Sequence, residues 1–177
     1  MTPTPAPPQD PAGPFETPGP YDSAKCDWLL QVLEDAPSQL RAAVAGLSDE
    51  QLDTKYKNWT IRQIAHHLAD SNIHAYVRTK LAATETRPTI SPFDETQWSA
   101  LADSAQGPVE PSLVLLEGLQ SRWVAFFRAL NESDWSRVFY HPATQEDVSI
   151  WQGFNYFAWH ARHHTAQILW LRQQHGW

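Results

Sequence analysis

The feature that most constrains the fold is a long apolar stretch near the end of the chain that contains two histidines four residues apart. Residues 150–171 are long and apolar enough to form a buried helix, and they include the run Trp-His-Ala-Arg-His-His at 159–164. On an α-helix, residues four apart lie on one face, one turn apart. The spacing therefore predicts that the imidazoles of His160 and His164 point to a common place, as two ligands of a transition metal do.

A second histidine cluster, at residues 66–74, lies on another predicted helix. At about 100° of rotation per residue, the side chains of His67, Ser71, His74 and Arg78 fall in one polar stripe beside the apolar face of that helix. His66 points elsewhere. The polar stripe therefore predicts that His67, rather than its neighbour, is the third ligand.

Together, His67, His160 and His164 predict one metal site between two packed helices. Three histidines leave a further coordination position open, which is typical of catalytic rather than structural zinc. His163 lies about 100° from His164 and is the weaker ligand candidate. A histidine pair exposed on a helix surface is the alternative interpretation, but the neighbouring aromatic residues argue against exposure. A zinc peptidase of the HExxH type is disfavoured, because Ala161 stands where that motif needs glutamate.

Composition limits the partners that we expect. The chain has 177 residues, of which 42% are hydrophobic, and a net charge of −7 at pH 7. This charge argues against nucleic acid as the main partner, since phosphate binding needs a basic face. No apolar run is long enough to span a bilayer, so we expect no membrane partner. The single cysteine, Cys26, excludes an intrachain disulfide and favours a cytoplasmic location; we interpret it as a packing residue rather than a nucleophile.

Proline content divides the chain into an arm and one domain. Residues 1–20 carry 8 of the 14 prolines and predict an extended or disordered arm that could lie over the domain, and we prefer a passive tail over a functional one. Residues 21–177 are predicted to form an all-α, four-helix bundle, in which Pro37 could kink or break the first helix. Residues 138–142 and 148–150 flank a polar turn and predict a short hairpin-like insertion. The four long helices are expected near residues 23–46, 60–83, 108–130 and 150–174, with shorter ones near 48–51 and 94–102.

Five segments of the sequence together resemble one known family. They read Asn-Trp-Thr-Ile-Arg-Gln at 58–63, His-His-Leu-Ala-Asp-Ser at 66–71, Tyr-Val-Arg at 76–78, Phe-Tyr-His-Pro at 139–142 and Trp-His-Ala-Arg-His-His at 159–164. In this combination the chain resembles the DinB-like superfamily, and within it the YfiT-type metal-dependent hydrolases, also called bacillithiol transferases. The resemblance implies an up-down-down-up bundle, a homodimer and one divalent metal ion per chain, with zinc as the first choice and nickel as the second. It also implies that His67, His160 and His164 hold this ion.

The sequence departs from the family pattern at two places. Lys57-Asn58 stands where a Gly-Gly pair commonly precedes the Trp-Thr dipeptide, so the turn before the second long helix is expected to differ. Asn72-Ile73-His74 stands where the family often has His-x-Asn. The resemblance therefore assigns no role to His74, which could line the substrate pocket, replace a ligand or only pack.

Three functions remain open from the sequence. The first, implied by the resemblance, is transfer of a low-molecular-weight, bacillithiol-like thiol onto electrophiles, with Arg78 and Arg162 binding the carboxylates of the thiol. The second is hydrolysis by metal-bound hydroxide, with His74, Asp70 or His163 as general base. The third is a non-catalytic metal-binding module of a stress response. For either reaction, His74 and Arg78 are the candidate catalytic residues.

Overall fold

A computed structural model describes residues 5–177 of the protein. Within these residues, helices and two small hairpins follow one another along the chain. They are α1 (Ser23–Val44), α2 (Asp49–Leu52), β1 (Lys55–Tyr56), β2 (Trp59–Thr60), α3 (Ile61–Thr84), α4 (Glu95–Ser99), α5 (Ala102–Gln106), α6 (Glu110–Arg128), a 3₁₀ turn (Glu132–Ser136), β3 (Val138–His141), β4 (Glu146–Ser149) and α7 (Ile150–His175).

The four long helices form a bundle in which α1 packs against α6 and α7, and α3 packs against the same two helices. Arg172 near the end of α7 donates hydrogen bonds to the carbonyls of Ala43 and Ala45 at the end of α1, so these helices run parallel. The end of α1 meets the start of α6 through the ion pair between Arg41 and Glu110, so these two run antiparallel.

Helix α3 runs in the same direction as α6. Their first turns are joined by the hydrogen bond between His66 and Ser112, and their last turns by the hydrogen bond from the indole of Trp123 to the Thr79 hydroxyl. The directions along the chain are therefore up, down, down and up, which confirms the predicted four-helix topology.

Local hydrogen bonds explain where the two helices with the histidine clusters begin. Before α3, the Thr60 hydroxyl accepts from the backbone N–H of Gln63, whose side chain accepts from the backbone N–H of Thr60. Ser149 and Gln152 form the same capping box at the start of α7, and such boxes satisfy amides that have no partner inside the helix. Gly176 ends α7 in the left-handed region with φ of 71°.

The structure differs from the predicted elements in three places. Pro37 is buried inside α1, which continues past it to Val44 without a break. The single short helix expected near 94–102 is two helices, α4 and α5. The hairpin β1–β2 was not predicted, and it turns at Lys57, whose φ is 56°.

Two buried apolar clusters fill the bundle, one toward each end. The first contains the largest aromatic side chains and the second is mostly aliphatic. Their central members are Trp123, Phe127 and Phe154 in the first cluster, and Leu40, Ile61, Ile64 and Ile168 in the second. No helix among residues 5–177 is both long and apolar enough to cross a membrane.

The N-terminal arm lies across α7 and is packed against it. The Trp159 indole donates to the carbonyl of Gly13 at 2.8 Å, and the Trp151 indole donates to that of Gly19 at 3.0 Å. The ring of Phe15 contacts the Trp159 ring, with centroids 5.7 Å apart. Residues 5–20 therefore form an arm that lies over the domain, while residues 1–4 lie outside the described part of the chain. That the arm has no function of its own stays a prediction.

Candidate metal centre

Three histidine side chains from α3 and α7 meet inside the bundle. The Nε2 atom of His160 lies 3.1 Å from Nε2 of His67 and 3.1 Å from Nε2 of His164. All three residues are buried, and one nitrogen of each lies within 4.8 Å of the others. Among residues 5–177, no other group of three or more histidine, cysteine or acidic side chains is arranged to hold a metal ion.

The spacing of these nitrogens fits a first-row metal ion. Two nitrogens at about 2.0–2.1 Å from one ion lie about 2.9 Å apart at a right angle and about 3.4 Å apart in a tetrahedron. The distance of 3.1 Å lies between these limits. A hydrogen bond needs one donor and one acceptor. When all three Nε2 atoms carry only a lone pair, these two short contacts therefore cannot be hydrogen bonds. The donor set therefore matches the sequence prediction of a three-histidine metal site.

Burial keeps these imidazoles in the neutral form that binds metal. Burial, together with neighbouring imidazoles, lowers the pKa of His67 and of His160 well below the ordinary value. Burial also lowers the pKa of His164, to about 4. At neutral pH the lone pairs are therefore available without first losing a proton.

Gln167 orients His164 by a hydrogen bond to the ring nitrogen that faces away from the other two histidines. His164 Nδ1 donates to Gln167 Oε1 at 2.8 Å, and Gln167 Nε2 donates to His163 Nε2 at 2.9 Å. Because Nδ1 carries the proton, Nε2 of His164 presents its lone pair to the other two histidines. His163 thus lies behind the centre, where its Nδ1 is 4.0 Å from Asp10 of the arm. The sequence analysis did not identify Gln167, although a residue three positions after His164 lies next to it on the same helix face.

The unpredicted hairpin places an indole beside the same centre. The Trp59 ring lies 4.4 Å from the His67 ring and 6.1 Å from the His164 ring, measured between centroids. Lys57 in the turn adopts a left-handed conformation that glycine adopts without strain. Lys57 and Asn58 therefore form a tight turn, and this hairpin places Trp59 beside the metal centre.

A cavity of about 680 Å³ reaches the centre at one of its three histidines, His160, which lies in its wall. The hairpin β3–β4 contributes much of the wall, α4 contributes Glu95, and the arm contributes Phe15, Thr17 and Pro18. On the α7 side of the wall, the rings of Tyr156 and His160 stack at 5.5 Å. The polar side chains that line it include Ser71, Arg78, Glu95, His141, Gln152 and Tyr156. The space is large enough for a small-molecule substrate next to the metal centre.

The structure places the remaining candidates at different distances from this cavity. Arg78 lines it, as the polar stripe on α3 predicts. The His74 ring instead stacks on Phe93, with centroids 4.0 Å apart and planes at 3°, and neither His74 nor Asp70 is in the cavity wall. His74 therefore lies outside the cavity surface, and its catalytic role stays a prediction.

Arg162 does not reach the cavity. Its side chain is exposed, and its guanidinium lies 5.5 Å from the Trp28 ring on α1. The helix turns Arg162 away from His160, since residues two apart lie on different faces. The structure therefore does not bring Arg162 together with the cavity that adjoins His160.

Comparison with known proteins agrees with this architecture. The sequence matches the DinB superfamily over residues 32–168. A Bacillus subtilis protein named "Putative metal-dependent hydrolase YfiT" is 44% identical over 153 residues, which is 85% of this chain and 86% of the relative. A Geobacillus thermodenitrificans protein named "Putative metal-dependent hydrolase" is 40% identical over 169 residues, covering 94% of this chain and 95% of the relative.

A solved structure extends the likeness to three dimensions. YfiT from Bacillus subtilis, described as "a probable metal-dependent hydrolase with an unusual four-helix bundle topology", superposes with a TM-score of 0.92 at 40% sequence identity. The superposition covers 95% of this chain and 97% of that one. The family match, the identities and the superposition together show that the chain belongs to the DinB superfamily.

Proposed function

We propose that this protein is a metal-dependent enzyme that transfers a low-molecular-weight thiol onto electrophiles. The observation that carries the proposal is the convergence of three neutral histidine nitrogens, 3.1 Å apart in two pairs, at the wall of a cavity. His67, His160 and His164 would hold one divalent ion, with zinc as the first choice and nickel as the second. Such an ion would supply Lewis-acid chemistry by favouring the deprotonated form of a thiol or water molecule.

None of the three side chains that the sequence offers as a general base for hydrolysis, His74, Asp70 and His163, lines the cavity. Hydrolysis through these three residues is therefore disfavoured. In either reaction, the thiol or water molecule at the ion would pass its proton to another group. The chain itself would orient the thiol through Arg78 and exclude water through Phe157 and the arm.

Hydrolysis is the second candidate function, and two observations favour it. The relatives reported above carry the name of metal-dependent hydrolases. Glu95 and His141 also line the cavity, where either could accept a proton. In this case the same three histidines would hold the ion, and water rather than a thiol would attack the substrate.

Turnover with and without a thiol separates these functions. The metal-loaded full chain would be mixed with the aryl electrophile 1-chloro-2,4-dinitrobenzene and several low-molecular-weight thiols, and in parallel with p-nitrophenyl acetate alone. We expect conjugation that requires both thiol and metal, with His160→Ala as the inactive control. Ester cleavage at full rate without thiol would favour hydrolysis, and turnover of neither substrate would favour a non-catalytic metal-binding module.

Assembly stays a separate prediction. We propose a homodimer, which light scattering of the purified chain can test directly, and a monomer at working concentrations would contradict it.

A further inference from the structure

Five aromatic side chains line the cavity beside the metal centre, and they come from four separate parts of the chain. They are Phe15 of the arm, Phe93 of the loop before α4, Phe139 of β3, and Tyr156 and Phe157 of α7. Phe139 and Phe157 are buried, whereas Phe15 and Phe93 are half-buried and Tyr156 is 38% exposed. Three rings of this wall therefore keep accessible surface. Apolar surface in a concave site is expected where an apolar ligand covers it.

Two ring contacts lead from the arm to the metal centre. The Phe15 ring meets the Tyr156 ring edge to face, with centroids 5.4 Å apart and planes at 84°. The Tyr156 ring in turn stacks on the His160 ring, with centroids 5.5 Å apart and planes at 26°. Tyr156 thus contacts both the arm and a candidate metal ligand. A flat ligand that covers Phe15 and Tyr156 would therefore lie beside the centre.

The fold holds Phe15 in place from both sides along the arm. Two residues before it, the Gly13 carbonyl accepts from the Trp159 indole at 2.8 Å. Four residues after it, the Gly19 carbonyl accepts from the Trp151 indole at 3.0 Å. Gly13 has a φ of 85°, a left-handed conformation that glycine adopts without strain. The Phe15 ring also packs on the Trp159 ring, with centroids 5.7 Å apart, so the arm keeps Phe15 in the cavity wall.

The charges of the wall favour an uncharged ligand ring. Three carboxyl groups line the cavity, those of Glu95, Glu146 and Asp147, against the one guanidinium of Arg78. Asp147 is paired with Arg87 at 2.9 Å, which leaves the other two carboxyl groups to repel an anionic ring. The faces of phenylalanine and tyrosine rings are electron-rich. A neutral ring that is poor in electrons therefore suits this wall.

We propose that Phe15 is a specificity-determining residue of the cavity, and that it covers the flat, uncharged ring of an aromatic electrophile beside the metal centre. The inference rests on the proposed function for the reaction of this ring, and on the cavity alone for its binding. It gives the arm a function, contrary to the expectation of a passive tail, and the same measurement decides between the two.

Equilibrium dialysis of the metal-loaded full chain against 1,3-dinitrobenzene tests the binding without turnover, because this electron-poor ring carries no leaving group. We expect Phe15→Ala to bind it about tenfold more weakly than the wild type, since one side of the aromatic wall is lost. Phe15→Tyr, which keeps a ring, should restore the affinity. Glu16→Ala is the matched control and should bind as the wild type does, because this neighbouring side chain is exposed and does not line the cavity.

Turnover of two electrophiles with one thiol tests whether Phe15 acts on specificity. 1-Chloro-2,4-dinitrobenzene carries the ring, and iodoacetamide does not. We expect the ratio of their kcat/KM values to fall about tenfold in Phe15→Ala, through a higher KM for the aromatic compound. The ratio should keep its wild-type value in Glu16→Ala. Thermal unfolding and elemental analysis check that each variant is folded and metal-loaded.

The outcomes are distinct for the ring-binding role of Phe15 and for the proposed reaction. Equal affinity of the wild type and Phe15→Ala for 1,3-dinitrobenzene, or no binding to the wild type, overturns this role. So does an equal loss of turnover with both electrophiles, which would mean that Phe15 only seats the arm. An affinity that depends on Phe15 in a protein that transfers no thiol would contradict the proposed function and leave the ring-binding site in place.

Discussion

The histidine clusters on α3 and α7 look alike in sequence but contribute differently to the centre. Each cluster has three histidines, at residues 66, 67 and 74 on α3 and at 160, 163 and 164 on α7. Five of the six are buried, and only His74 is half-buried, so burial does not separate the candidate ligands from the others. The first cluster provides one nitrogen to the centre and the second provides two.

The difference lies in what the ring nitrogens face. His66 Nδ1 lies 2.8 Å from the Ser112 hydroxyl, and its Nε2 lies 3.4 Å from the Gly107 carbonyl. His163 Nε2 accepts from Gln167, and its unpaired Nδ1 lies 4.0 Å from Asp10. The Nε2 atoms of the three candidate ligands lie beside one another instead. A candidate ligand is thus recognised by a nitrogen that faces other imidazoles, which no hydropathy pattern shows.

The largest expected effect comes from removing the histidine that contacts both others. In His160→Ala the two remaining nitrogens no longer complete a three-ligand set, so we expect metal content to fall from about one equivalent per chain to near zero. Elemental analysis after dialysis measures it. His74→Ala, from the other cluster, should keep its metal. A fully loaded His160→Ala protein would show that the two clusters do not meet at one ion.

A smaller effect is expected when the support of a ligand is removed. Gln167→Leu keeps all three histidines but removes the acceptor at 2.8 Å that holds Nδ1 of His164. We expect metal affinity, measured by competition with a chelator, to fall about 10–100-fold. Gln173→Leu is the matched control, because that side chain is exposed on the same helix. Unchanged affinity in Gln167→Leu would mean that Gln167 only packs.

The comparison of the two clusters also shows how far sequence reasoning reached. A rotation of about 100° per residue distinguishes His67 from His66, because adjacent residues on a helix point in different directions. The capping box at Thr60 and Gln63 marks the start of α3 within one residue. These predictions succeed because they depend on interactions within one helix.

Features that depend on distant parts of the chain could not be predicted in the same way. His141 reaches the Arg78 side of the cavity because residue Tyr140 bridges to Thr89 after α3, and no local pattern encodes this pairing. The contacts of the arm could not be predicted for the same reason, since its proline content excludes a helix but gives no information about the indoles that bind it. Arg162 shows the converse case, in which the chemistry suited the role but the helix face points away from the cavity.

The third prediction concerns pH and the metal-free protein. An unfolded chain protonates His164 near its ordinary pKa of 6.5, whereas the folded protein does so only at about 4. Between these values the unfolded state binds more protons, so stability falls as pH decreases from about 6.5 toward 4. At pH 5 this group alone destabilises the folded state by about 2 kcal/mol relative to pH 8.

Urea unfolding of the metal-free protein at pH 8 and pH 5 measures this loss. His164→Gln should show a weaker pH dependence than the wild type, because one titrating group has been removed. The mutation Lys55→Gln, on the exposed hairpin residue, should leave the dependence unchanged. Equal pH dependence in wild type and His164→Gln would mean that His164 is not held neutral in the folded protein.

The smallest effect is expected at His74, which the sequence offers as a catalytic residue and the structure places outside the cavity wall. Its ring stacks on Phe93, which lines the cavity, and lies 5.1 Å from the Trp98 ring. If His74 only supports this wall, His74→Phe should preserve the stack and change the rate of thiol transfer by less than about threefold, because a general base contributes about 10²–10⁴-fold. His74→Ala should lower the free energy of unfolding by about 1 kcal/mol through loss of the aromatic contact.

Both variants should retain their metal in elemental analysis. A loss of about 100-fold or more in kcat for folded, metal-loaded His74→Phe would instead assign the imidazole a part in proton transfer, so that the cluster on α3 would contribute to the chemistry at two positions.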